Sequence, residues 1–234
     1  MEMENLKNSL APLTAEEILA FIASNYGDRA VFSTSFGIED QVITHILAQQ
    51  VQPEVAIFTL ETGRLFPETY AVWNRTLERY QLPIKAYYPN TTAVEAMVTH
   101  KGPSSFYESV DNRKECCYIR KIEPLKRAVA GYKIWITGIR AEQSPNREDM
   151  ESVEWDADNA VIKVHPLFHW SLADVEQFLK LHNIPYNRLH DRGFPSIGCQ
   201  PCTRAVQPGE DFRAGRWWWE DTSKKECGLH SKTK

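Results

Sequence analysis

What the sequence lacks narrows its reading first. No stretch approaches the ~20 consecutive apolar residues that a membrane span requires. The opening M-E-M-E-N-L-K is acidic and polar, where a secretory leader would be basic and then apolar. These absences lead us to expect a cytoplasmic protein that engages no membrane. Nor is there an excess of positive charge: 27 Lys and Arg face 31 Asp and Glu, for a net charge of -4. No global field would then hold nucleic acid, and any anion must be recognised locally. Internal repeats and low-complexity tracts are absent as well. Cysteine is sparse, five in 234 residues. In a reducing compartment so few thiols, grouped as a doublet, a Cys-x-x-Cys and a singleton, point to ligation or catalysis before structural disulfides.

What is present suffices for one full core, since 42% of the 234 residues are hydrophobic. We expect a single domain over 1–234, with an α/β core at about 15–185 and a long tail at about 186–234. Thr14 followed by Glu17 reads as a capping box, and Ile18, Leu19, Phe21 and Ile22 recur at helical spacing, predicting a helix from about Ala15 to Asn25. Ala30 to Ser33 is a short buried-type strand that breaks at S-F-G before a helical stripe of Val42, Ile43, Ile46 and Leu47. The pattern repeats. Val55 to Leu60 is a strand, E-T-G-R a turn, and Pro67 the start of a helix to about Tyr80. A third strand, Ile84 to Tyr88, precedes a helix at about Thr92 to His100. A fourth, Lys133 to Thr137, follows a helix expected to start near Cys117 and to carry Ile119, Ile122, Leu125 and Ala128. A hairpin pairs Val153–Trp155 with Val161–Val164, and Ser171 with Asp174 caps a further helix. After Pro185 periodicity fades, but Trp217, Trp218 and Trp219 argue against disorder.

Alternating strands and helices argue a parallel sheet with helices on both faces. Such sheets bind ligands at the carboxyl ends of their strands. The turns S-T-S-F-G-I-E-D, L-E-T-G-R and T-G-I-R fall there. The first, with Ser35, Phe36 and Gly37, could cradle an anion at a helix N-terminus or be an ordinary turn. The second has Gly63 for close backbone approach and Arg64 for an anion or a carboxylate.

The cysteines carry the most specific signal. Cys199 and Cys202 form half of a four-thiolate site, and Cys116-Cys117 can supply the other half from 199 - 117 - 1 = 81 residues upstream. Two adjacent cysteines strain the ligand geometry of one zinc, whereas a cluster gives each thiolate its own iron. A 4Fe-4S cluster, a zinc ion, and buried helical cysteines beside an unrelated Cys-x-x-Cys are the readings left open by the pattern. Cys227 stands apart in K-K-E-C-G-L-H. Nearby cations favour its thiolate, although a free cysteine near a terminus is the plainer reading. Arg204, Arg213 and Arg216 gather positive charge in an acidic protein where no structural need for it is evident.

Together, C-C-Y-I-R-K-I-E-P-L-K, T-G-I-R-A-E-Q-S-P, G-C-Q-P-C-T-R, G-R-W-W-W-E, K-E-C-G-L-H and L-E-T-G-R closely resemble the assimilatory adenylyl-sulfate reductases of bacteria, the cluster-bearing branch of the phosphoadenylyl-sulfate reductase family. The likeness runs from about Val31 to His230. It implies an adenine-nucleotide alpha-hydrolase-like fold and a 4Fe-4S cluster on Cys116, Cys117, Cys199 and Cys202. It also implies a two-step reduction of adenosine 5'-phosphosulfate: Cys227 takes the sulfonate, expelling AMP, and thioredoxin or a glutaredoxin-like dithiol then releases sulfite. By motif match Lys121, Arg213 and Arg216, assisted by His230, would offset the charge of the phosphosulfate. Backbone near Leu60, Thr62 and Gly138 would hold adenine and ribose, Ser35 to Gly37 would face the phosphosulfate, and Gly63, Arg64 and Arg140 complete the expected substrate contacts.

Two departures bear on this. S-F-G-I-E-D differs from the S-G-G-x-D-S loop of ATP-dependent relatives, which argues against ATP hydrolysis. Asn112-Arg113-Lys114 stands where some members have a histidine before the double cysteine, and its added charge keeps the 3'-phosphorylated nucleotide open as a substrate. A zinc-stapled nucleotide-binding or adaptor protein without redox chemistry, and an ATP-pyrophosphatase such as a tRNA thiolase, are the rival readings. Oligomeric state, including a homo-oligomer, is left open.

Overall fold

The computed structural model describes residues 2–51, 55–143 and 150–220, so Cys227 and His230 lie outside the described residues. Helix α1 (Glu2–Leu10), which the sequence did not signal, buries Leu6 and Leu10, packs Met3 against the same core and pairs Lys7 with Glu151. So few apolar anchors do not read as a stripe. Helix α2 (Ala15–Tyr26) begins where expected, because Thr14 and Glu17 each accept the other's backbone N–H.

Six strands make one sheet: β1 (Ala30–Ser33), β2 (Ala56–Leu60), β3 (Ile84–Tyr87), β4 (Ile134–Ile136), β5 (Val153–Asp156) and β6 (Val161–Val164). Their order is β3-β2-β1-β4-β6-β5. β1 runs parallel to β2 and β4, and β4 parallel to β6, while β5 folds back antiparallel on β6 as the expected hairpin. Ala30, Val31 and Phe32 in β1 and all of β4 are buried, as strands of a covered parallel sheet must be. Strands β2 and β3 lie on one side of β1 and β4 on the other. The order therefore reverses between β1 and β4, which is the switch point where such sheets open a ligand crevice.

The remaining helices are α3 (Ile38–Ile46), α4 (Pro67–Tyr80), α5 (Thr91–Lys101), α6 (Val110–Cys117), α7 (Glu123–Val129) and α8 (Leu172–Leu181). The helix expected from near Cys117 starts earlier. Ser109 caps α6 by accepting the Asn112 N–H, and its polar V-D-N-R-K-E run has no apolar stripe to announce it. A π-helical turn, Tyr118–Ile122, joins α6 to α7. Such turns are rare and gather at functional sites. Among the described residues no helix is long and apolar enough to cross a membrane.

By its contacts the chain divides into two compact units. The first comprises 1–59, 67–85 and 129–188. Its core packs Phe32, Val42, Ile43, Leu47, Ile136 and Val175 with their neighbours. The second comprises 60–66, 86–128 and 189–234. Its core is small and unusual: Met97, Phe106 and Trp217 pack with Cys116, Cys199 and Cys202.

In the first unit the β5–β6 hairpin is clamped by Lys163 Nζ, 2.7 Å from Asp156 and 4.9 Å from the Trp135 ring centre. Burial resists charge on Asp156, but hydrogen bonds from Lys163 and Asn159 outweigh it and hold the carboxyl below the usual range of 3.8. A depressed folded pKa means that this stabilisation is present above that value and lost as pH falls through the folded one. We expect Asp156→Asn to cost about 2 kcal/mol at neutral pH, because it strands Lys163. Urea unfolding at pH 7 and at about pH 3 should give a smaller acid loss for the variant than for wild type.

Candidate active site: a cysteine recess and a sheet-edge loop

In the second unit Cys116 and Cys117 end α6, and Cys199 and Cys202 bracket a tight turn over Gln200–Cys202. That turn is closed by Cys202 N–H on Cys199 O at 3.0 Å and by the Thr203 hydroxyl on the same oxygen at 2.9 Å. All four thiols line one recess with Arg64, Phe106, Arg113, Arg120, Lys121 and Pro201. Among the described residues, however, no three His, Cys, Asp or Glu side chains gather as the ligands of a single metal ion do.

The L-E-T-G-R turn forms part of this wall. Gly63 adopts φ +71, a conformation that favours glycine, and a Cβ there would lie 3.2 Å from the Arg120 guanidinium. Arg120 donates to Thr62 O at 2.6 Å, the Gln200 N–H to Arg64 O at 2.8 Å, and the Thr62 hydroxyl lies 3.4 Å from Cys199 Sγ. Arg64 lies over the Phe106 ring and donates to Pro103 O.

The electrostatics are one-sided. Burial pushes the Cys202 thiol up to about 12, with the neighbouring Cys199 adding to the rise and Lys121 and Arg216 opposing it. Burial raises Cys116 too, against Arg120 and Arg64. Nε of Arg120, Nε of Arg216 and Nε1 of Trp217 are buried with no hydrogen-bond partner among the described residues. Arg216 is held in place by close packing: a Cβ on Gly198 would fall 2.3 Å from its guanidinium. Its other contacts are the Trp217 ring at 4.8 Å and the Ser196 hydroxyl at 3.3 Å.

In the first unit the loop after β1 is organised by Asp40, the third residue of α3. Asp40 Oδ2 accepts the Ser35 N–H at 2.6 Å and its hydroxyl at 2.7 Å. The Gly37 N–H also bonds this carboxyl, and the Phe36 N–H donates to Thr34 Oγ1 at 3.1 Å. Burial lifts Asp40 to about 6 against the hydrogen bonds from Ser35. Phe36 is buried at φ +60 and stacks on Trp73. The amides of Ser35, Phe36 and Gly37 thus all have internal acceptors, and the loop cradles its own carboxylate.

Arg140 is 1% exposed, its guanidinium bonded to Glu39 at 2.9 Å and Glu142 at 3.0 Å. Arg113 is likewise 1% exposed and bonded to Glu220. Lys121 and Arg64 line the recess. Arg213 is half-buried, its N–H on Asp211. Leu60 ends β2, and Gly138 packs beside Asp40 in the first unit. Sequence reasoning missed Arg120 and Glu220. Arg120 had a findable signal, four residues after Cys116 on a helical stretch. Glu220 had none.

A parallel-dominant sheet with its loops at a switch point defines an adenine-nucleotide alpha-hydrolase-like fold. Yeast FAD synthetase shares that fold at TM-score 0.53 and 20% identity, covering 88% of this chain and 69% of that one. Residues 29–205 match the phosphoadenosine phosphosulfate reductase domain, and the chain belongs to that family. It is 50% identical over 212 residues to the adenosine 5'-phosphosulfate reductase of Rhizobium meliloti (strain 1021), covering 91% of this chain and 79% of that protein. It is 48% identical over 229 residues to the enzyme of that name from Sinorhizobium fredii (strain USDA 257), covering 98% and 90%. A crystal structure of phosphoadenylyl-sulfate reductase from Candida auris, a phosphate complex, aligns at TM-score 0.73 and 25% identity, covering 87% of this chain and 96% of that one.

The sheet-edge loop yields a direct test of packing. A Cβ on Gly138 would fall 2.3 Å from Asp40 Oδ1 and 3.1 Å from Glu39 Cβ. Gly138→Ala should therefore destabilise the protein by about 2 kcal/mol, read as a lower denaturant midpoint at unchanged slope.

Proposed function

We propose that the chain reduces adenosine 5'-phosphosulfate to sulfite and AMP in the cytoplasm, through an S-sulfocysteine on Cys227 and with thioredoxin or a similar dithiol as reductant. The observation that carries this reading is the recess of the second unit. In a chain of net charge -4 it assembles Arg64, Arg113, Arg120 and Lys121 around four thiols, with Arg216 buried in the same unit. The names of the relatives, close to half identical over most of their length, support the substrate.

The chemistry balances without a further reactant. The Cys227 thiolate attacks the sulfur of the phosphosulfate, an S–S bond forms, and the S–O bond to phosphate breaks with its electron pair leaving on AMP. One thiol of the dithiol then attacks Cys227 sulfur and expels sulfite, and its second thiol closes a disulfide that frees Cys227. Both electrons come from the dithiol. A thiolate approaching a dianion needs cations that offset the repulsion. Arg213, Arg216, Lys121 and His230 have that task in this reading.

The residues also fit a 4Fe-4S cluster on Cys116, Cys117, Cys199 and Cys202. Their thiols share a recess without converging on one point, and buried donors on Arg120, Arg216 and Trp217 lack acceptors. A bound cluster would supply fixed charge beside Lys121, and its thiolate ligands would ionise despite burial.

A second reading, the 3'-phosphorylated nucleotide as substrate, is favoured by the likeness to the Candida auris enzyme. Turnover on both nucleotides decides between them, and with Arg113 engaged by Glu220 we expect the unphosphorylated one to be preferred. For the mechanism, protein incubated with substrate and no reductant should carry one sulfonate on Cys227 by mass spectrometry. Cys227→Ser should carry none and lose activity by at least ~10³-fold. Active wild type without the adduct would exclude the mechanism. For the cofactor, purified protein should be brown with about four irons per chain, and Cys202→Ser should lose most of that iron. Colourless protein with one zinc would favour the stapled nucleotide-binding reading instead.

A further inference from the structure

Three of the four recess thiols are almost sealed off from outside. Cys116, Cys199 and Cys202 are each 8% exposed, and the recess they line encloses about 20 Å³. That is room for about one water and nothing larger. Beside it lies an open groove of about 560 Å³, lined by Gly63, Arg64, Leu65, Arg120, Gln200 and Pro201. Arg64, Arg120 and Pro201 line both spaces. Among the described residues, the partition between groove and thiols therefore consists of these three.

They are not equally fixed. Arg120 is 7% exposed and donates to Thr62 O at 2.6 Å. Pro201 sits inside the Gln200–Cys202 turn, and its carbonyl accepts the Tyr107 hydroxyl at 2.6 Å. Arg64 differs, because only its backbone is pinned: its N–H meets Thr62 Oγ1 at 3.2 Å and its C=O takes the Gln200 N–H at 2.8 Å. Its half-buried side chain donates to Pro103 O and lies 5.1 Å from the centre of the Phe106 ring. A bond to a loop carbonyl and a ring contact are modest holds. The side chain can leave while the backbone stays.

We propose that Arg64 is the gate of the cysteine recess: its side chain closes the passage from the groove to the thiols, and small thiol-binding species, metal ions above all, enter and leave when it swings aside. For what passes, this rests on the reading of the four cysteines as a metal-cluster site; the gate itself does not. A purely electrostatic role for Arg64 predicts the opposite sign in a simple test. Arg64 is among the cations that favour the Cys116 thiolate. Alkylating reagents attack the thiolate. If charge were its whole contribution, removing Arg64 would slow alkylation of Cys116; if its bulk closes the passage, removing it speeds the reaction.

The experiment uses the full chain as purified, in wild type, Arg64→Ala and Gln200→Trp. Gln200 is exposed and lines the groove but not the recess, so the larger side chain narrows the route from its outer side. EDTA and iodoacetamide are added together, so that the thiols are read whether or not they hold metal, and modification of each cysteine is timed by mass spectrometry. A parallel sample receives a polyethylene-glycol maleimide, too large for an opened gate and able to react only through wider unfolding. We expect R64A to speed iodoacetamide modification of Cys116, Cys199 and Cys202 by about tenfold, with the maleimide rate changed less than about twofold. Q200W should slow the iodoacetamide reaction by about threefold. A rate in R64A no faster than in wild type would overturn the gate, as would an equal rise with both reagents, which reports general loosening. A rate in Q200W at or above that of wild type would overturn the route through the groove. Iron that reaches EDTA faster from R64A than from wild type supports the gate as the cluster's own passage. If the purified protein holds no iron, the proposed cluster falls, and the iodoacetamide rates still decide the gate.

Discussion

Unbalanced buried charge is the constraint on which the second unit depends. Among the described residues Arg120 and Arg216 each bury an Nε without an acceptor, while burial drives the Cys116 and Cys202 thiols toward the neutral form. A cation without an anion and a thiol that cannot ionise are complementary deficits. Filling the recess with a thiolate-bound anionic group would answer both at once, and this is the physical ground for proposing a cluster there. The first unit is built the other way. Arg140 meets Glu39 and Glu142, and Lys163 meets Asp156, so its buried cations are matched. Charge compensation of that kind spares a fold the cost of an uncompensated buried charge.

Local backbone geometry explains how residues so far apart in sequence share one wall. The helical stretch α6 with the π turn behind it sets Arg113, Cys116, Cys117 and Arg120 at spacings of three and four. The L-E-T-G-R turn enters because Gly63 leaves room for Arg120, and Thr62 then lies beside Cys199. Gly198 does the same for Arg216. Gly63 and Gly198 are thus spaces kept open for guanidinium groups.

The strands were legible because a covered parallel sheet writes itself as short apolar runs, and α2 and α8 because capping boxes are local in sequence. The four cysteines were legible by grouping alone. What could not be read were partners. Nothing in N-R-K-E-C-C says that Arg113 is engaged by a carboxylate 107 residues away. Nothing in T-G-I-R says that Arg140 is folded under against Glu39. Free charge and engaged charge look identical in a sequence, so the engagement of Arg113 and Arg140 could not be read, while Lys121 and Arg64 line the recess. The polar start of α6 was missed for a related reason: it buries Arg113 and Cys116, not an apolar stripe.

The loop after β1 shows why the fold alone does not decide the reaction. At a switch point, a turn leading into a helix N-terminus is the usual place for a phosphate. Here the acid at the third position of α3 turns back and takes the Ser35 and Gly37 amides itself, and Gly138 must lack a side chain to admit it. A nest filled by an internal carboxylate repels a second anion and has no donors left for one. The terminal phosphates of a nucleoside triphosphate therefore lose their natural seat, which is the physical form of the departure from S-G-G-x-D-S. The cations that could meet a phosphosulfate are in the second unit, with the cysteines. In this chain the sheet edge is shaped by Asp40, and Arg64, Arg120 and Lys121 are gathered where the four cysteines are.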